Sequence, residues 1–299
     1  MLLMFCYDGG DMNIAMSGAT GFIGSHLAKA FTEKGWTVIP LRRDDIAGDE
    51  AALLGKIGAA DIVVNLAGAT IARKWTEEYK EIMYSSRVRT TRCIVDAISK
   101  SVKKPALLIS ASAVGIYDTK GTHTEDDTNY ADDFLGRLAK DWELAALPAV
   151  DAGVRTVIFR FGVVLGPGGG VLKEMLVPFR LGMGGVIGDG MQPFSWVHIY
   201  DLIAAFFRAI ETRDFSGVYN LTAPHYTTNK GLTEALAQAL HRPALLRVPA
   251  FVFRLQLGEG AKVLLEGQKV IPKRLLDDGF SFKFTRIEEA VEDVVGAGE

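Results

Sequence analysis

Cysteine is almost missing from this chain: two residues, Cys6 and Cys93, in 299, with no CxxC pair. No zinc or dithiol redox site can start from that, so both thiols read as reduced and structural or incidental. No apolar run approaches the roughly 20 residues that cross a bilayer, and the opening MLLMFCYDGGDM is too short and too acidic for a signal peptide. The expectation is a cytoplasmic protein with no membrane partner. Positive charge is not in excess either, since 33 Lys and Arg against 36 Asp and Glu give a net −3. A nucleic-acid binder needs a basic face to displace counterions from phosphates, and no basic stripe with interleaved aromatics is present. A small-molecule substrate is therefore the expected partner, with no nucleic acid. The five histidines show no metal-ligand spacing with carboxylates, so no metal is expected.

What is present is an ordinary globular composition, 48% hydrophobic and 23% charged, in a chain long enough for two lobes. Apolar runs begin at Asn13 (NIAMS), Thr37 (TVIPL), Asp61 (DIVVNLAG), Pro105 (PALLISAS) and Val154 (VRTVIFRFG). Helical patterns separate them, over Phe22 to Lys34, Thr76 to Lys100 and Asp132 to Asp151. Strands alternating with helices predict an α/β fold of the Rossmann type, a doubly wound parallel sheet. The first twelve residues read as a loose extension or a misplaced start.

After Gly166 the glycine density of PGGG and GMGGVIGDG argues for a loop region or crossover rather than regular structure. A helix over Asp201 to Thr212, with Asp201 as its N-cap, follows. The predicted organisation is a dinucleotide-binding domain over 13–165, completed by 192–213. A smaller C-terminal α/β substrate lobe then occupies 166–299. The oligomeric state stays open, a homodimer being one option.

The informative motif is SGATGFIGSHLAKAF, in which Gly18, Gly21 and Gly24 stand in GxxGxxG spacing between an apolar strand and a helix. A chain that turns sharply from strand to helix presents free N–H groups to a pyrophosphate, and side chains there would block its approach. The cofactor-binding set therefore starts with Gly18, Thr20, Gly21, Phe22, Ile23 and Gly24. The second strand ends in Leu41, Arg42, Arg43, where an acidic residue would suit the ribose hydroxyls of NAD. Two guanidinium groups suit a 2′-phosphate instead and favour NADP, unless Asp44 and Asp45 neutralise them.

These residues resemble the extended short-chain dehydrogenase/reductase superfamily, which includes sugar-nucleotide epimerases and dehydratases, over nearly the whole chain. NLAG at Asn65 to Gly68 is similar to its loop beside adenine and ribose. ISAS at Ile109 to Ser112 is similar to the strand bearing its catalytic Ser or Thr, and RFGVVLGPGG from Arg160 to the segment closing over the nicotinamide. RKWTEEYKEIMYSSRVRTT from Arg73, GDGMQPFSWVHIYDL from Gly188 and the tail from Val248 resemble one atypical epimerase-like branch with a compact C-terminal module. That resemblance implies NADP(H) binding, with Arg42, Arg43, Leu66, Ala67 and Arg87 as contacts, to which Gly68, Ser110, Gly162 and Val163 are added from the matching segments.

The superfamily's Tyr and Lys, four residues apart on one helix, exchange a proton during hydride transfer. Here DDFLGRLAKDWE puts Phe134 and Leu138 at about those positions, and Phe cannot exchange a proton. The YxxxK of Tyr226 to Lys230 lies far beyond the expected strand and reads as a chance match. The catalytic candidates are Ser112, whose counterpart hydrogen-bonds the reacting oxygen, and Tyr117. Either could instead serve as an ordinary strand-end or loop residue. Arg160 reads as a buried structural cation or an anion contact, and His198 as support for the fold. Two functions follow: an NADP(H)-dependent oxidoreductase or epimerase acting on a small polar carbonyl or nucleotide-sugar substrate, or a non-catalytic NADP(H)-binding sensor or assembly protein.

Overall fold

The computed structural model describes residues 11–297, so the expected N-terminal extension lies outside the described residues up to residue 10, as does Cys6; Cys93 is a free thiol. Six strands form one sheet: β1 Asn13–Ser17, β2 Thr37–Leu41, β3 Ile62–Asn65, β4 Leu107–Ala113, β5 Arg155–Phe161 and β6 Gly217–Leu221. Every pairing is parallel and the spatial order is 2-1-3-4-5-6. The order reverses between β1 and β3, and sheets of this kind receive ligands in the crevice outside the carboxyl ends of the strands at such a reversal.

Side chains alternate between two buried faces, as a parallel sheet covered on both sides requires. Ile14, Met16, Val64, Ile109 and Phe159 face one way, against Leu27 and Phe31 of helix α1 (Phe22–Glu33) and Leu202 and Phe206 of the helix Ile199–Glu211. Ala15, Val63, Leu108 and Ile158 face the other way, against Leu53, Ile57, Ile94 and Ile98. Each such large side chain, wholly buried, contributes about 1.5–3 kcal/mol.

Three features differ from the sequence expectation. The strand β6 does not stand out in the sequence, because GVYNL is short, begins with a glycine at φ +89° and lies at the sheet edge. Arg274 and Glu125 cap that edge: the Arg274 guanidinium donates to the Val218 carbonyl at 3.0 Å, and the Glu125 carboxylate accepts from the Asn220 N–H at 2.8 Å. The glycine-rich stretch after Gly166 is not a plain loop, for it holds the helix Gly170–Arg180 and the short strand Gly185–Ile187. Its glycines permit close approach instead: a Cβ on Gly169 would stand 2.4 Å from the Phe22 ring, and one on Gly185 would stand 2.3 Å from the Leu246 carbonyl oxygen.

The third difference concerns the helix predicted to start at Asp201. It begins at Ile199, and His198 is the N-cap, its Nδ1 accepting from the Tyr200 N–H at 3.2 Å. Asp201 sits in the first turn and reaches outward to accept the Lys283 and Phe284 N–H groups at 2.7 and 3.0 Å, tethering the C-terminal segment. The helices Gly170–Arg180, Asn229–Ala239 and Ile287–Gly296 share a separate apolar cluster around Trp196, Leu236 and Val291.

Candidate functional site

The glycine turn is built for an anion. Gly18 takes φ +71°, and a Cβ on it would stand 2.9 Å from the Leu66 carbonyl oxygen. A Cβ on Gly24 would stand 2.1 Å from the Gly18 carbonyl oxygen, so only glycine lets α1 start this close to β1. Gly21 is the N-cap of α1; no side chain caps it, and no acidic residue stands in the first turn formed by Phe22, Ile23 and Gly24. Thr20 and Gly21 are exposed. The positive end of the helix is thus free to meet negative charge.

Across the crevice, the hydroxyl of Ser17 ties the β1 and β3 ends together. It donates to Asn65 Oδ1 at 2.7 Å and accepts from the N–H groups of Leu66 and Ala67 at 3.1 and 3.2 Å. Asn65 Nδ2 donates onward to Thr91 at 2.7 Å and Ser110 at 3.4 Å, which makes Ser110 a buried strut of this wall. Ser17, Asn65 and Thr91 carry no signal in the sequence, because the contact joins residues 48 and 26 positions apart.

Arg87 lies on a π-helical turn, Ser85–Arg89, of the kind that often marks functional sites. Its guanidinium stacks over Trp142 at 5.3 Å, donates to the Ala69 and Met83 carbonyls at 2.9 and 3.3 Å, and fills the space beside Gly68, where a Cβ would stand 3.0 Å from Cζ. Burial lowers its pKa to about 10. Among the described residues no carboxylate lies within 4.0 Å of it.

Arg42 and Arg43 follow β2 and are exposed. Neither forms an ion pair with the neighbouring acids, although Asp45 feels the charge of Arg42. Asp45 pairs with Lys56 at 2.7 Å and accepts the Arg42 backbone N–H at 2.6 Å, and those hydrogen bonds hold its carboxyl below the usual range. Among the described residues neither guanidinium has a carboxylate within 4.0 Å. On the opposite side, Gly162 is pressed against Ser195 and Thr222, with a Cβ there only 2.8 Å from the Ser195 carbonyl oxygen, and Val163 opens a short strand paired with Trp196–His198.

The two catalytic candidates are brought into one buried network. Ser112 Oγ donates to Glu143 Oε1 at 2.6 Å. Arg160 grips the same carboxylate with two bonds, Nε to Oε1 at 2.7 Å and Nη2 to Oε2 at 2.8 Å, and Nη1 donates to the Tyr117 hydroxyl at 2.7 Å. Tyr117 is 0% exposed, with Thr124 O at 2.8 Å and Asn220 Oδ1 at 2.9 Å as acceptors for its single proton. Burial pushes its pKa up to about 12, although Arg160 pulls the other way. Burial works to lower the pKa of Arg160, but the Glu143 carboxylate outweighs it and raises that pKa. Arg160 is thus a paired, buried structural cation.

Phe134 opens the helix Phe134–Ala146 against Trp75, their ring centroids 5.7 Å apart, and Leu138 is buried in the same apolar cluster. Neither position supplies a proton. Tyr226 and Lys230 do not share a helical turn: Tyr226 precedes the strand Thr227–Thr228, and Lys230 pairs with Glu234 at 3.7 Å on the helix that follows. His198 packs against Phe284, ring centroids 3.9 Å apart and planes tilted by 38°, and burial lowers its pKa to about 4, as befits a capping residue. Glu143 is the site residue that sequence reasoning passes over. The signal for it was a carboxylate on the apolar stripe of Leu138, Trp142 and Ala146.

A model described as the NAD dependent epimerase/dehydratase family matches residues 14–222, and one described as a domain of unknown function, DUF1731, matches residues 248–294. Epimerase family protein YfhF of Bacillus subtilis is 37% identical over 298 residues, covering 95% of this chain and 98% of that protein. Epimerase family protein SDR39U1 of Mus musculus is 39% identical over 295 residues, covering 95% and 100%. A crystal structure of human SDR39U1, isoform 2, with NADPH matches with a TM-score of 0.89 at 35% identity, covering 95% of this chain and 99% of that one. With its six-stranded parallel sheet, glycine turn and C-terminal module, the chain belongs to the NAD dependent epimerase/dehydratase family.

Proposed function

We propose that this protein binds NADP(H) across the β1–β3 crevice and uses it in oxidoreductase or epimerase-like chemistry on a small polar carbonyl or nucleotide-sugar substrate. The observation that carries the cofactor choice is the pair Arg42 and Arg43, exposed at the end of β2 with no carboxylate within 4.0 Å among the described residues. A 2′-phosphate supplies the charge that both lack. The NADPH in the human SDR39U1 structure supports the same reading.

The residues fit the group. A Cβ at Gly18 or Gly24 would collide with backbone and Gly21 is tight, so the N–H groups of Thr20, Phe22 and Ile23 at the helix start would be the ones to meet the pyrophosphate. Leu66, Ala67 and Gly68 line the adenine and ribose side, with Arg87 as the cation behind them. Ser110 stiffens that wall, and Gly162 with Val163 borders the nicotinamide. When bound, the cofactor supplies hydride donation or acceptance. The chain itself binds, orients and excludes water.

A second reading, a non-catalytic NADP(H)-responsive protein, is favoured by one specific observation. The hydroxyls of Ser112 and Tyr117 are both committed to the Glu143–Arg160 network, and Phe134 and Leu138 offer no acid or base. A screen of carbonyl and nucleotide-sugar compounds, following NADPH absorbance with protein verified to hold cofactor, separates the two. Turnover of any compound supports the enzyme. No turnover, together with a partner protein retained differently on NADP⁺- and NADPH-loaded protein, supports the sensor.

A further inference from the structure

The segment leading into the C-terminal module combines apolar exposure with unopposed positive charge. From residue 235 to residue 258 the sequence contains no Asp or Glu, yet it carries Arg242, Arg247 and Arg254, in a chain whose net charge is −3. All three arginines are exposed, and among the described residues none has a carboxylate within 4.0 Å. Alongside them stand Leu245 at 88% exposure, Phe251 at 66% and Leu255 at 82%. The last two are on the helix Ala250–Leu257, none of whose eight residues is buried.

The strand Leu246–Val248 pairs in parallel with Gly185–Ile187, Leu246 opposite Gly185, so the exposed Leu181 and Met183 just before that strand extend the same apolar surface. The helix half-buries one side, Ala250, Phe253 and Leu257, and turns Phe251 and Leu255 outward, an apolar face of the kind that something else covers. The charge says what. A second copy docked about a twofold axis would bring the arginines of both copies to one interface, with no carboxylate in the segment to pair them. An anionic lipid surface offers both halves of the match: headgroup phosphates for Arg247 and Arg254, and the acyl boundary for Leu245, Phe251 and Leu255.

We infer that the face formed by residues 245–255 is a peripheral docking surface for anionic membranes, holding the protein on the bilayer without crossing it. No helix among the described residues is long and apolar enough to span a membrane, so attachment is interfacial.

Sedimentation with vesicles of phosphatidylcholine containing about a third phosphatidylglycerol, against vesicles of phosphatidylcholine alone, tests this. The full chain is expected to pellet with the anionic vesicles only and to be released as salt rises toward molar, since exposed charges are then screened. Arg247→Ala and Arg254→Ala are each expected to weaken the partition about fivefold, and Phe251→Glu with Leu255→Glu to abolish it. NADPH affinity should stay at the wild-type value in all variants, which shows that they are folded. Equal partition to both vesicle types, no partition at all, or full partition by the Phe251→Glu, Leu255→Glu variant overturns the proposal. Vesicle-free self-association abolished by Phe251→Glu, without vesicle binding, also overturns it and makes the face a contact between copies.

Discussion

The β1–β3 crevice and the space between β4, β5 and the helix Phe134–Ala146 lie at the carboxyl ends of neighbouring strands of one sheet, yet their polar groups are treated in opposite ways. At the crevice, the N-terminus of α1 is uncapped, Arg42 and Arg43 have no carboxylate partners among the described residues, and Arg87 bonds only to carbonyls. Behind β4 and β5, Ser112, Glu143, Arg160, Tyr117 and Asn220 satisfy one another with bonds of 2.6 to 2.9 Å. Exposed or half-buried cations left without counter-charges are poised for an anionic ligand. A buried network with every member engaged specifies the core. The Tyr and Ser in roughly the expected stretch of sequence are here both committed to the Glu143–Arg160 network.

The largest effect should come from breaking the satisfied region. Glu143→Ala strands the Arg160 guanidinium in the core and is expected to cost about 3–5 kcal/mol in urea unfolding. A loss below about 1 kcal/mol would mean that the network is not what holds β4, β5 and the helix together. Gly24→Ala attacks the open region through packing. A Cβ 2.1 Å from the Gly18 carbonyl oxygen must displace the turn, so a stability loss of about 1–3 kcal/mol is expected. NADPH affinity should fall at least about tenfold with it.

Tyr117→Phe sharpens the contrast. Removing the hydroxyl leaves one Arg160 N–H, and one of the two acceptors Thr124 O and Asn220 Oδ1, short of a partner, for about 1–2 kcal/mol of stability. NADPH affinity and the pH profile of any turnover should be unchanged. Turnover lost at intact stability would make Tyr117 a catalytic residue and erase the distinction drawn between the two regions.

The smallest effect is a pH slope away from both. Burial raises Asp201 from 3.8 to about 6 and lowers His198 from 6.5 to about 4. The carboxylate contributes stability in acid that is lost as pH rises from about 4 to 6, whereas the imidazole contributes stability at neutral pH that is lost as pH falls from about 6.5 to 4. The two slopes oppose, so the wild type should change by under about 1 kcal/mol from this pair across that window. Asp201→Asn, which leaves only the histidine slope, should lose stability more steeply on acidification.

Much of this frame was legible in the sequence. NIAMS and TVIPL are strands over the residues expected, because short apolar runs bounded by glycine turns carry their own signal. The glycine motif was legible because Gly18 and Gly24 answer to local backbone geometry. Position β6 was not, since GVYNL becomes a strand only by pairing with β5 some 60 residues earlier, Gly217 opposite Val157. Glu143 was legible only as a carboxylate on an apolar helical stripe, which says nothing of the guanidinium 17 residues on that pairs with it. Nor could the sequence show that Asp45 pairs with Lys56 rather than with either arginine.

The central claim is that those two arginines read a 2′-phosphate, and calorimetric titration of NADPH and NADH into wild type and an Arg42→Ala, Arg43→Ala double variant tests it most directly. The account predicts that wild type prefers NADPH, and that the double variant loses about a hundredfold in NADPH affinity while NADH binding is unchanged. Equal affinity for the two cofactors in wild type, or a double variant that binds NADPH as wild type does, would contradict it.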